Sequence, residues 1–192
     1  MKYIILLLVI MFFVNISYAQ VSPADIEFVR ANVTDRNRKL LYTDSIPSYN
    51  LSDMRKALDA DTLYNDPEVK QGFIMVFTKP ERAYIMAQLD AMKHFAWGKE
   101  VFAKSKLIPA DTISHIFGNK SSITGDGWQY FYTWFGKGYH QFSKPIFLRN
   151  NTLCIFYSSY HCGWLCADGN LSIYVKEGDK WVRKYMVYRW VS

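Results

Sequence analysis

The sequence predicts an α+β protein, with N-terminal helices packed on a C-terminal antiparallel sheet built as a meander of hairpins. Three observations carry this prediction. Capped segments with helical spacing fill the chain to about residue 120. Aromatic and β-branched residues replace the helix formers from about residue 125. Two turn signals then divide the remainder into strand-length runs.

The first helix is expected over ADIEFVRANV, where Ser22 supplies a cap and Pro23 occupies the tolerant first turn. Ser52 is placed to cap a second, DMRKALDA. The strongest signal is TKPERAYIMAQLDAMKHFAW. Thr78 and Glu81 stand at capping-box spacing, Pro80 sits in the first turn, and Ile85, Leu89, Met92 and Ala96 make one apolar stripe. PADTISHIFG gives a fourth helix, stopped by Gly118. GDGWQYFYTWFGKGYHQF reads as the start of the β-rich part, its aromatics alternating between core and surface. FSKPIFL and TLCIFYSSY flank Arg149-Asn150-Asn151, where asparagine tolerates the positive φ of a hairpin turn. LSIYVK and KWVRKYMVYRWV flank Glu177-Gly178-Asp179, a second hairpin signal. The helical half is expected to cover one face of the sheet.

The opening MKYIILLLVIMFFVNISYAQ has the form of a secretory signal. Lys2 precedes an apolar run from Tyr3 to Val14, and Ser17 and Ala19 have the spacing a signal peptidase reads, so cleavage is expected after Ala19. The apolar run is too short for a membrane span, which needs roughly twenty residues. The mature chain, 20–192, carries no repeat or Pro/Ser/Gly-rich linker and is expected to be one secreted or periplasmic domain without a transmembrane anchor. Half of the residues are apolar and 17% are aromatic, which excludes a disordered chain. The formal charge of +6 falls to +5 without Lys2. That surplus is small, and in an exported protein it points away from nucleic acid and toward an unknown envelope or extracellular partner. The basic run RNRK at 36–39 reads as a solvated loop.

Three cysteines are present: Cys154, Cys162 and Cys166. In an oxidising compartment a close pair joins by default, and one thiol is left over. An extended segment from 154 to 162, at ~3.3 Å per residue, separates its ends by ~26 Å. Bridged α-carbons lie within about 7 Å. The chain turns back between Gly163 and Gly169, so residues in the mid-170s oppose Cys154, and Cys166 does not. Cys162 and Cys166 remain, one at each shoulder of the turn. Closing that short loop stabilises by roughly 2 kcal/mol on the chain-entropy account. Cys154 alternates with Phe156 on one strand face and reads as a small buried hydrophobe.

Two rival chemistries use the same turn. A zinc site could draw on His161, Cys162, Cys166 and Asp168. Against it, His161 and Cys162 are neighbours that point to opposite faces of a strand, and the C-x2-C knuckle is missing. A thiol-redox pair more typically spans C-x-x-C at a helix N-terminus, and this is a strand-to-strand turn. No metal or other cofactor is expected.

The run FSKPIFLRNNTLCIFYSSYHCGWLCADGNLSIYVKEGDKW resembles a pattern in secreted bacterial proteins of uncharacterised function. There, Ser-x-Pro-x-Phe leads a strand, a second strand runs into Cys-Gly-x-Leu-Cys-Gly-x-Gly, and a third strand precedes a Gly-x-Trp hairpin. Ser143, Pro145 and Phe147 match the first part; Cys162, Gly163, Leu165, Cys166 and Gly169 match the second; Lys180-Trp181 match the last. Ala167 departs from the pattern's glycine. The resemblance covers about the last third of the chain. It implies export, a stapled hairpin and a β-rich C-terminus, and it brings no catalytic residue.

No Gly-x-Ser-x-Gly elbow, HExxH, P-loop or dinucleotide fingerprint occurs. Of the four histidines, His94 suits the dipole at the end of the strongest helix, and His115 is expected on the outer side of a short one. His140 and His161 are the two placed to reach a cleft. DADTLYNDPE at 59–68 lacks the glycine and glutamate of an EF-hand and reads as a turn region. Trp128, Trp134 and Trp164 are the candidates for surface recognition, because exposed ring faces are what sugars or protein partners stack against. The function expected is a non-enzymatic binding or structural module of the bacterial envelope or exterior. The alternatives are an envelope hydrolase acting on glycan or peptide through His140 or His161, and a thiol-redox or metal-binding protein using Cys162 and Cys166.

Overall fold

The computed structural model describes residues 21–33, 40–66, 71–118 and 126–192. The expected signal sequence and the RNRK run lie outside the described residues. The main sheet is mixed and mostly antiparallel. Its order is β4 (Lys106–Ile108), β1 (Leu41–Thr43), β5 (Tyr139–Phe142), β7 (Leu153–Gly163), β8 (Cys166–Glu177) and β9 (Lys180–Val191). A short strand β6 (Ile146–Leu148) also pairs with β7. The α+β class therefore holds, with one correction to the sheet. The helical half contributes β1 and β4, which pair in parallel with each other, and β1 also pairs in parallel with β5. These three-residue strands are too short to leave a period in the sequence; the neighbouring strands define them.

The helices begin where capping chemistry puts them. In α1 (Pro23–Asn32) the Ser22 hydroxyl accepts from Asp25 N at 3.1 Å, and the Asp25 carboxylate accepts from Ser22 N at 2.7 Å. Thr78 and Glu81 make the same reciprocal pair at α3 (Lys79–Ala91). The stripe of α3 is buried at Ile85 and Leu89 and continues to Met92 in a 3-10 turn (Met92–His94), but Ala96 is exposed. The helix has ended by then, so helical spacing no longer governs position 96. The second helix, α2 (Ser48–Leu58), starts a turn earlier than expected, after Pro47, and Ser52 lies inside it. Residues 62–66 form strand β2 (Thr62–Asp66), paired with β3 (Gln71–Val76), where a turn was expected.

The largest correction concerns GWQYFYTW. It is helix α5 (Gly127–Trp134), capped by the Asp126 carboxylate accepting from Trp128 N at 3.0 Å. Trp128 and Phe131 are buried on its inner side, while Tyr130 and Trp134 are exposed. That division follows i, i+3 and i+4 spacing and not strand alternation. The short α4 (Ala110–Phe117) has no side-chain cap from its own flank; the Asp44 carboxylate accepts from Ala110 N at 2.9 Å instead.

Both faces of the sheet are covered, where one was expected. On one side α2 and α3 pack Leu51, Met54, Ile85 and Leu89 against Ile155, Tyr157, Leu171 and Ile173. On the other, α1 sets Phe28 against Phe156 and Tyr174 in edge-on ring contacts at 5.1 and 5.2 Å. Burying one such ring stabilises by about 2 kcal/mol. β7 is consequently buried on both faces over residues 153–157. Cys154 is part of this packing, fully buried opposite Tyr174, as the strand register required.

Two hairpins fall at the expected turns. Arg149, Asn150 and Asn151 all take positive φ, between 52° and 60°. Gly178, at φ 59°, closes the β8–β9 turn. Cys162 and Cys166 stand at disulfide distance across the β7–β8 turn, their α-carbons 5.0 Å apart.

Candidate functional site

Beyond the packed centre of the sheet, toward the stapled turn, small residues on β8 leave space. Ala167 pairs with His161, and Gly169 pairs with Ser159 on one side and Trp190 on the other. Tyr139 on β5 pairs with His161 on β7. Rings therefore line up across the sheet: Trp128 lies at 19° to Tyr139, Tyr139 at 9° to His161, and His161 is 5.5 Å from Trp190. This row floors an open cleft of about 370 Å³. Tyr49, Asn50 and Asp53 at the start of α2 form one wall, with Phe117 and Trp164 among the other lining residues. The volume is in the usual range for small-ligand sites, about 300–1,000 Å³.

The stapled turn positions Trp164, which with Leu165 makes up the two residues between β7 and β8. Its indole N–H donates to the Asp126 carboxylate at 2.9 Å, the group that also caps α5. The Tyr132 hydroxyl donates to the Cys162 carbonyl at 2.6 Å, and the Ser192 hydroxyl to the Trp164 carbonyl at 3.3 Å. The ring is nevertheless 65% exposed. Trp190 is held similarly, its N–H donating to the Tyr157 hydroxyl at 3.1 Å. Both indoles thus spend their N–H groups within the protein, and both line the cleft.

Electrostatically the floor is neutral. Burial, with a smaller contribution from nearby His140, pushes His161 down to about 4 against the opposing pull of Asp168. Its Nε2 is hydrogen-bonded with the Ser159 hydroxyl at 3.2 Å. Asp53 is ion-paired with Lys56 at 3.3 Å in an exposed pair, and among the described residues no carboxylate is hydrogen-bonded to His161. Asn50 is 3% exposed, and its side-chain N–H₂ group has no hydrogen-bond partner.

The expected site residues separate into three groups. Trp164, Trp128 and His161 meet in the cleft, although Trp128 is 5% exposed and contributes a buried floor rather than a surface. Trp134 is exposed on the outer side of α5, 6.2 Å from Tyr130, and does not line the cleft. His140 lies in the cross-strand pair next to that of His161, so the two project from opposite faces of the sheet. Its ring is 4.6 Å from that of Tyr160, tilted by 38°, and burial lowers its pKa against the pull of Asp168. Cys162 and Cys166 brace the wall. Among the described residues no group of three or more His, Cys, Asp or Glu side chains could hold a metal ion. Asn50, Tyr49, Asp53 and Trp190 were not expected at a site. Each comes from an element remote in sequence, and Trp190, in the cross-strand row of Gly169 and Ser159, reaches the His161 ring diagonally across β8.

Compared with family models, curated proteins and solved structures, the chain finds no match.

Proposed function

We propose that this protein is an exported bacterial binding module, of the periplasm or the cell exterior, that takes a small ligand into the aromatic cleft without transforming it. One observation carries the reading: the cleft is lined by aromatic residues, and its histidine is held neutral with, among the described residues, no hydrogen-bonded carboxylate. Hydrolysis by general acid–base chemistry needs a proton-accepting or proton-donating group matched to neutral pH and paired with a second polar group. A histidine pushed to about 4 and bonded to a serine hydroxyl fits a positioning role better. The thiol-exchange alternative is less favoured because the paired cysteines sit on a strand-to-strand turn and not at a helix N-terminus, where the dipole would lower a thiolate's pKa.

The test is native mass spectrometry of the mature protein after exposure to fractionated small molecules from a bacterial envelope. A discrete adduct that persists in the wild type and is lost in Trp164→Ala supports the reading. Turnover of a glycan or peptide that disappears in His161→Gln would overturn it. N-terminal sequencing of the exported chain, expected to begin at Gln20, tests the export part separately.

A further inference from the structure

Resting on the binding role proposed above, we infer that the cleft's ligand is a neutral saccharide, held by stacking on indole faces and by a hydrogen bond to Asn50. Four features of the site argue for this class together.

The first is the division of labour among the aromatics. Trp164 and Trp190 donate their N–H groups to Asp126 and Tyr157, so these two lining rings have no donor left for a ligand and can hold one only through carbon surface. The negative face of an aromatic ring attracts the slightly positive edge of whatever packs on it. The C–H face of a pyranose ring supplies such an edge over a broad, flat area.

The second is charge. With His161 neutral above about pH 4, Asp53 is the single formally charged side chain among the residues lining the cleft, and Lys56 pairs with it. Among the described residues no cationic side chain lines the cleft to hold a phosphate or a carboxylate, and the carboxylate that does line it is paired with Lys56. Acidic saccharides and nucleotides are thereby disfavoured.

The third is Asn50. A buried donor without a partner costs roughly 1–3 kcal/mol, and native proteins leave few of them. Asn50 lines the cleft, is 3% exposed, and its side-chain N–H₂ is unpaired. Arg82 Nε, Gln141 Oε1 and Tyr188 Oη are buried and unpaired as well, but Asn50 is the one of the four whose residue lines the cleft, and a small turn of its amide would bring the N–H₂ to an acceptor on a ligand. A quaternary ammonium would suit an aromatic box beside Asp53, but it carries no acceptor and would leave Asn50 as it is. A ring hydroxyl or an acetamido carbonyl satisfies it.

The fourth is the form of the cleft. It is open to solvent, with α2 and the stapled turn both among its lining elements, which admits a chain end as well as a single ring. Trp164 and Tyr49 are the most exposed of its lining rings, and a second sugar would lie against them.

The experiment is a glycan array carrying neutral and acidic saccharides, probed with the mature protein. It is followed by titration of the best neutral hit, tetramethylammonium and a Gly-Tyr-Gly peptide, read by tryptophan fluorescence. The expected result is saturable binding of neutral glycans. Trp164→Ala and Asn50→Asp should each weaken it at least tenfold, while Trp134→Ala, on the outer face of α5, leaves it unchanged. Thermal melts of the variants confirm that they are folded, and the near-isosteric Asn50→Asp guards against a loss that merely reflects a missing wall. Binding confined to acidic glycans, to tetramethylammonium or to the peptide, and dependent on Trp164, overturns the saccharide assignment and leaves the cleft as a binding site. If no probe shows Trp164-dependent binding, both fall.

Discussion

The imidazole of His161 lies nearly parallel to the ring of Tyr139, 9° apart in plane and 5.0 Å between centroids. The contact follows from register, because the two are a cross-strand pair on β5 and β7. It also places the imidazole between Tyr139 and Trp190, and burial there pushes its pKa from the ordinary 6.5 to about 4. The depressed value means that the folded state resists protonation while the unfolded state accepts it. Above pH 6.5 the histidine carries no penalty; as pH falls from 6.5 toward 4, stability drops, by up to roughly 1.4 kcal/mol per pH unit. Urea unfolding of wild type and His161→Gln at pH 7, 5.5 and 4.5 checks this. The stability gap between them should shift in favour of the variant as the pH falls, and a gap independent of pH would contradict it.

Reduction should act on the cleft as well as on the fold. Removing the staple with a Cys162→Ser, Cys166→Ser double substitution is expected to cost about 2 kcal/mol, the chain-entropy value for so short a loop. It should also make Trp164 more accessible to an aqueous quencher such as iodide, because the Tyr132–Cys162 and Trp164–Asp126 hydrogen bonds depend on the shape of that turn. An unchanged unfolding midpoint would show that the staple does not stabilise the hairpin.

Gly169 makes room for an indole. A β-carbon added there would sit 2.5 Å from Trp190 Nε1 and 2.6 Å from Trp190 Cε2. Gly169→Ala must therefore push the ring off the strand and break its bond to the Tyr157 hydroxyl. The expected outcome is a destabilisation of about 1–3 kcal/mol, typical of overpacking, with a shifted tryptophan emission and weaker ligand binding. A variant indistinguishable from wild type in emission would contradict this packing.

On the opposite end of the sheet, Arg149 Nε donates to Glu81 Oε1 at 2.8 Å, and that bond brings the Glu81 carboxyl down to about 2. For an acid whose pKa is lowered by folding, the stabilisation is complete above the unfolded value near 4.3 and is lost as pH falls toward 2. Arg149→Ala should cost about 1 kcal/mol at pH 7, a modest figure because the arginine side chain is partly solvent-exposed. The difference from wild type should shrink toward the acid end, as followed by chemical unfolding between pH 7 and 2, leaving the share of the Arg149 bond to the Val76 carbonyl at 2.9 Å. A deficit that does not change with pH would mean that the Glu81 pair contributes nothing.

Much of the frame was legible because its signals are local. Ser22 with Asp25, and Thr78 with Glu81, satisfy helix N–H groups from three residues away, and the Asn150 and Gly178 turns need their own unusual φ. The pairing of Cys162 with Cys166 followed from the expected oxidising compartment, strand reach and the place of the turn. What failed depends on distant partners. The strands β1 and β4 exist through parallel pairing across more than sixty residues, as in Leu41 with Lys106. α4 borrows its cap from Asp44. In α5 the eight residues GWQYFYTW are poor in helix formers, yet Asp126 and the inward spacing of Trp128 and Phe131 were helical signals that aromatic content obscured. The site was half visible for the same reason: Trp164 and His161 belong to the hairpin, whereas Asn50 and Tyr49 reach it through the packing of α2 on the sheet.

The most direct test of the cleft is an indole-resolved titration. The six tryptophans are Trp97, Trp128, Trp134, Trp164, Trp181 and Trp190, and ¹⁵N-labelled protein gives each indole its own N–H resonance. Addition of the tightest-binding neutral saccharide should move the signals of Trp128, Trp164 and Trp190 and leave those of Trp97, Trp134 and Trp181 in place. Movement of Trp134 with the three cleft indoles unchanged would contradict the account.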